Sequence, residues 1–106
     1  MTQTTTTDRR QKLINLPIPK GGTFLDAGGE WVWVLRPLTI DVWTQAVKQA
    51  RTSSSITAAL MVIDTLKHSD CPSTKSIPET EIGLMMALED EVNKLVNPVQ
   101  IEVKKN

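Results

Sequence analysis

His68-Ser69-Asp70-Cys71 places an imidazole, a hydroxyl, a carboxylate and a thiol side by side, the four groups from which nucleophilic catalysis or a metal site is built. Their adjacency is the wrong geometry. A nucleophile and its base converge across a cleft with a third group orienting the base, whereas neighbours in a loop point apart. A structural zinc site needs four ligands, and the chain has one cysteine and one histidine. Glu89-Asp90-Glu91 offers three carboxylates, but successive helical residues fan out by about 100° each and do not meet at one ion. Glu79 with Glu81, or Asp64 with Asp70, is a formal acid–base pair with nothing to place it in a pocket. Gly21-Gly22 and Gly28-Gly29 lack the later glycine or lysine, and the helix directly after, that a phosphate loop requires. The residues therefore predict no enzyme, no catalytic group, no metal ligand and no cofactor.

What stands out instead is Trp31-Val32-Trp33-Val34-Leu35-Arg36-Pro37-Leu38-Thr39, a strand apolar on both faces. A half-exposed strand alternates apolar with polar residues; here Trp31, Trp33 and Leu35 point one way and Val32 and Val34 the other. Both faces need covers, and a chain of 106 residues is short of mass to supply them. The expectation is a subunit that leans on another protein through Trp31, Trp33 and Arg36, tryptophan covering much area at little entropic cost. Nucleic acid is not expected: twelve basic residues balance twelve acidic ones, and only Arg36 lies close to the tryptophans in sequence. The charge is uneven, however. Residues 1–51 hold seven Lys/Arg against four Asp/Glu, while residues 76–96 hold five acidic residues against Lys94. Glu89 and Asp90, with the adaptable side chain of Met86, are read as a second partner-facing surface.

The elements that must position these residues follow from periodicity. The predicted fold class is α+β: a small N-terminal β-hairpin packed on a three-helix bundle, with extended N- and C-terminal arms. Residues 1–22 are polar and then proline-bearing, and are read as an arm; 23–96 form one domain; 97–106 form a C-terminal extended segment. The hairpin covers about 23–36 around Ala27-Gly28-Gly29. Helices are expected over 40–51, capped by Thr39, over 56–67 after the serine run, and over 77–96 behind a capping box at Ser76-Ile77-Pro78-Glu79. Trp43, Val47, Leu60, Ile63, Leu66, Met85, Leu88, Val92 and Leu95 share inward faces and form the expected core. Gly83 suggests close approach of another element. Val99, Ile101 and Val103 alternate with Gln100, Glu102 and Lys104, so the tail reads as a strand that pairs with the hairpin or with another chain. No apolar run is long enough for a membrane span, the N-terminus lacks a secretory h-region, and one cysteine suits a reducing compartment. A soluble intracellular protein with no membrane partner is expected.

The order of polar N-terminus, hairpin, Leu35-Arg36-Pro37-Leu38-Thr39-Ile40-Asp41, paired short helices and acidic helix resembles the small tail assembly chaperones of long-tailed bacteriophages. These pass from a strand through a Leu-Arg-x-Leu/Pro-Thr-x-x-Asp segment into helices. The resemblance covers roughly residues 23–96 and its local motif is residues 35–41. It implies a non-enzymatic subunit in the host cytoplasm that binds tape-measure or tail-tube proteins before tail polymerisation. A small structural virion component of tail, baseplate or capsid, held by extended arms and located in the virion, is the alternative. A host-directed regulator is a third. Either phage role admits a homo-oligomer.

Overall fold

The computed structural model describes residues 4–96. In chain order it comprises α1 (Thr4–Ile14), β1 (Thr23–Asp26), β2 (Val32–Leu35), α2 (Ile40–Thr52), α3 (Ser55–Leu66), a short 3-10 turn (Thr74–Ser76) and α4 (Ile82–Val96). The class is α+β. β1 and β2 pair antiparallel with Thr23 opposite Leu35 and Asp26 opposite Val32. The turn between them depends on Gly28 and Gly29 at φ 96° and 54°, a region that side-chain-bearing residues rarely enter.

β2 is not an edge. On the side away from β1, Leu35 bridges Lys67, the Arg36 amide donates to the Leu66 carbonyl and the His68 amide donates to the Val34 carbonyl, each at 2.9 Å. The chain leaving α3 thus serves as a third, irregular partner strand. α1 and α3 both pack against β2. Val32, Trp33, Val34 and Leu35 are all at most 2% exposed, so the expectation that the tryptophan ribbon exceeds what its own chain can shield is corrected: both faces are sealed from within. The covers that hydrophobic pattern does not reveal are α1 and the loop after α3.

α1 is the main departure. Residues expected as an extended arm are helical over Thr4–Ile14, and Leu13 is 1% exposed in the core. A polar helix this short is marginal alone, so its stability comes from docking. The docking is ionic as well as apolar. Arg10 donates from both terminal nitrogens to the two Asp26 carboxylate oxygens at 2.9 and 2.8 Å, and also to the Gly29 carbonyl, while Arg9 approaches Glu30 at 3.7 Å. Arg9 and Arg10 are thus engaged in holding α1 to the hairpin. Bonds from Arg10, then from the Gly28 amide, keep the Asp26 carboxyl below its ordinary range. A carboxylate with a lowered folded-state value contributes stability that is complete above the unfolded value and is lost as pH falls through the folded one. Acidification below about pH 4 is therefore expected to release α1 before the rest unfolds, seen as faster amide exchange around Leu13. Arg10→Met should abolish that acid step; an unchanged step would show that the pair does not hold the helix.

The helices follow their caps, with one exception. Thr39 Oγ1 accepts from the Val42 amide at 3.3 Å, and Ser54 Oγ from the Thr57 amide at 3.0 Å, starting α2 and α3 as expected. The capping box at Ser76 does not form. Ile77 is extended at φ −71°, ψ 125°, as a residue before proline prefers, and α4 begins five residues later. Glu81 instead takes the first α4 bond, from the Met85 amide. Gly83 has no neighbour within contact of an added Cβ, so among the described residues no element approaches it closely. Nor do the three long helices close into a bundle. α2 and α4 each pack on α3, and α2 makes no comparable packing with α4 among the described residues.

Candidate functional site

The open angle between α2 and α4 is the site. Small residues of α3, Ala58 and Ala59, with Val62, form its floor. α2 supplies one wall, Trp43, Ala46, Val47 and Ala50, and α4 supplies the other through Val92 and Asn93. The groove holds about 270 Å³ and is apolar throughout, except where Arg51, Ser55 and Asn93 reach its rim. Its floor is the ordinary core: Ala58, Ala59 and Val62 are each at most 5% exposed. Its α2 wall is not. Trp43 stands 37% exposed and Ala50 is exposed, although both belong to the apolar stripe that periodicity assigns to the interior.

The cause is side-chain volume. Alanines at 58 and 59 let α2 approach α3 closely but leave a trough that no bulky side chain fills, and α4 stands too far from α2 to cover it. Trp43, read as core, is therefore corrected to a groove-wall residue. Sequence pattern finds the stripe because a buried face and a docking face have the same period. Only the small residues of α3 signalled that the stripe would lack a cover.

The residues expected to bind a partner scatter. Trp33 is 0% exposed, its indole Nε1 donating to the Pro72 carbonyl at 2.7 Å, so it is a core residue and not a contact surface. Trp31 is half-buried and stacks on it, centroids 5.9 Å apart and planes 20° off parallel. Arg36 is exposed but its guanidinium is committed to the Thr65 carbonyl. Neither tryptophan lines the groove. Met86, 53% exposed, Glu89 and Asp90 lie on α4, and Met86 and Glu89 share by helical spacing the ridge that leads to Asn93 at the rim. Val99, Ile101 and Val103 lie outside the described residues.

The loop that gathers His68, Asp70 and Cys71 has a structural task. Cys71 is buried with its Sγ accepting from the Val34 amide at 3.4 Å, and His68 Nδ1 accepts from the Asp70 amide at 3.0 Å. The imidazole nitrogen nearest Asp70 is thus an acceptor, and its 3.9 Å separation from Asp70 Oδ2 is no hydrogen bond. Asp64 turns away from this loop to bind Thr74. Among the described residues no three His, Cys, Asp or Glu side chains converge, and no buried side-chain nitrogen or oxygen lacks a partner. No described helix is long and apolar enough to cross a membrane.

The motif at 35–41 is accounted for locally. It is the corner between β2 and α2: Leu35 is buried, Pro37 ends the pairing, Thr39 caps and Asp41 stands in the first helical turn, where negative charge suits the helix dipole. No protein-family model matches this chain, and comparison with curated proteins and with solved structures finds no match.

Proposed function

We propose that this chain is a non-enzymatic protein-binding subunit whose docking surface is the groove between α2 and α4. The observation that carries the reading is a half-exposed tryptophan on an apolar wall above an alanine floor. Such a trough accepts the apolar ridge of a helix or strand, with tryptophan as the anchor. Arg51 at the rim favours an occupant with an acidic residue beside its apolar face. The resemblance at residues 35–41 narrows the client to tape-measure or tail-tube subunits, the role being that of a tail assembly chaperone.

Ala50→Glu tests this, because the site is exposed and both residues are good helix formers, so the fold should stand. On co-expression with the tail subunits of the phage that encodes it, the parent chain should keep a client soluble. The variant should weaken that complex about tenfold or more, roughly 1.4 kcal/mol in a titration. Equal binding by the two chains would remove the groove from the mechanism. Recovery of the parent chain in fixed copy number from finished particles would replace the chaperone by a structural component.

A further inference from the structure

We infer that the outer edge of β1 is a second docking site, suited to an extended, basic segment of another protein that adds to the sheet as a strand; the inference does not depend on the groove between α2 and α4. The hydrogen-bond pattern is the first ground. The Val34 amide donates to Cys71 Sγ at 3.4 Å and its carbonyl accepts from the His68 amide at 2.9 Å, so both turn away from β1, and Val34 with Phe24 forms a non-hydrogen-bonded pair of the ladder. Phe24 then turns its own amide and carbonyl outward. Asp26 does the same two residues on, since its partner Val32 gives its amide to the Glu30 carbonyl while the Ala27 amide donates to the Trp31 carbonyl. Among the described residues β2 is the one neighbour of β1, and Phe24 and Asp26 are exposed. No proline, lysine or bulge guards this edge.

Space is the second ground. The edge opens into a hollow of about 240 Å³ with Phe24 to Ala27 on one side and Ala87, Leu88 and Glu91 of α4 on the other. A strand laid antiparallel along β1 continues the alternation of the sheet, so its residue opposite Leu25 points into the hollow, where the small side chain of Ala87 leaves room for an aliphatic group. Charge then names the occupant. The Asp26 carboxylate is committed to Arg10, and no basic side chain lines the hollow. Glu91 is held by Lys94 in an exposed pair at 3.2 Å, which stabilises little and is readily exchanged. On the added strand a basic residue two positions from the aliphatic one shares its face, and so stands on the side of Glu91. A second copy of β1 would instead set these acidic surfaces against each other.

The test uses the full chain and the peptide acetyl-Thr-Lys-Thr-Val-Thr-Lys-Thr-amide, which presents valine between two lysines on one face whichever way it runs. At about 1 mM it should slow exchange of the Phe24 and Asp26 amides about threefold, the factor for two-thirds occupancy, and leave that of Leu25 unchanged. N-methylation of the two threonines that flank valine removes the donors to the Phe24 and Asp26 carbonyls and should abolish binding. N-methylation of the valine, whose amide points away from β1, should not. Phe24→Pro keeps the ladder to β2, because the amide it removes faces outward, and should also abolish binding. Should that variant fail to fold, Glu91→Lys on α4 should still weaken the peptide about fivefold. Unchanged exchange at about 1 mM peptide, or equal binding by the two N-methylated peptides, would overturn the inference. So would slowing that needs no peptide and grows with protein concentration, which would make a second copy the occupant. Ala50→Glu separates this site from the groove: it should leave peptide binding as it was, and loss of binding would place the peptide between α2 and α4 and overturn the edge site.

Discussion

Replacing Trp33 by alanine is expected to cost about 3–5 kcal/mol, much of the stability that a domain of this size possesses. The side chain is 0% exposed in the centre of β2, stacked on Trp31, and its indole nitrogen closes onto Pro72, which pins the loop after α3 against the strand. Alanine would leave a cavity, forfeit the stack and leave the part-buried Pro72 carbonyl without that donor. Trp33→Phe separates the contributions: it keeps most of the volume and loses only the donor, so it should cost about 1–3 kcal/mol. Urea titration of the two variants measures both. If Trp33→Ala unfolds at the same midpoint as the parent chain, the ring is not in the core. It would then belong to a partner surface, as a strand apolar on both faces first suggests.

That suggestion illustrates what hydrophobic pattern can and cannot convey. Period and caps locate the hairpin, α2 and α3 to within a residue or two, because glycine turns and side-chain caps at Thr39 and Ser54 act over three or four positions. α1 was not legible, since its sequence has almost no apolar stripe; a single leucine and two arginines whose partners lie in the hairpin make it a helix. The start of α4 was misplaced because the cap pattern at Ser76 competes with the restriction Pro78 puts on Ile77, and the restriction prevails. At the candidate site the α2 residues were identified and their surroundings were not. Trp43, Val47 and Ala50 belong to an inward-facing stripe by any periodicity, and whether they are covered depends on the distance between α2 and α4, set by side chains elsewhere. Conversely, Trp33 looked available because its covers, the loop at 66–72 and α1, carry little hydrophobic signal.

Asp64→Ala is expected to have the second large effect, although Asp64 is only half-buried and lies far from Trp31 and Trp33 in sequence. Its Oδ1 accepts from the Thr74 amide at 2.8 Å and its Oδ2 from the Thr74 hydroxyl at 2.6 Å. Thr74 is the buried polar residue of the core, 4% exposed, and it opens the 3-10 turn that carries Ile77 to its buried place and feeds the chain toward α4. Alanine at position 64 would strand the Thr74 amide without an acceptor, and leave its hydroxyl only the long 3.5 Å contact with the Leu60 carbonyl. Losing two bonds to a carboxylate, at about 1.5–3 kcal/mol each and less than additive, predicts a loss of about 3 kcal/mol. Asp64→Asn retains an acceptor for the amide and offers an N–H to the threonine oxygen, so it should lose no more than about half as much. Because Asp64 also lies on α3, the helix that floors the groove, the double variant Asp64→Ala, Thr74→Val decides between local and wider damage. The double variant removes the stranded hydroxyl but keeps the backbone amide at position 74, so it should recover the hydroxyl's share of the loss if the damage is confined to this capping contact. If the double variant is as unstable as Asp64→Ala alone, the carboxylate instead supports the seating of α3, and the α2–α4 groove should open with it.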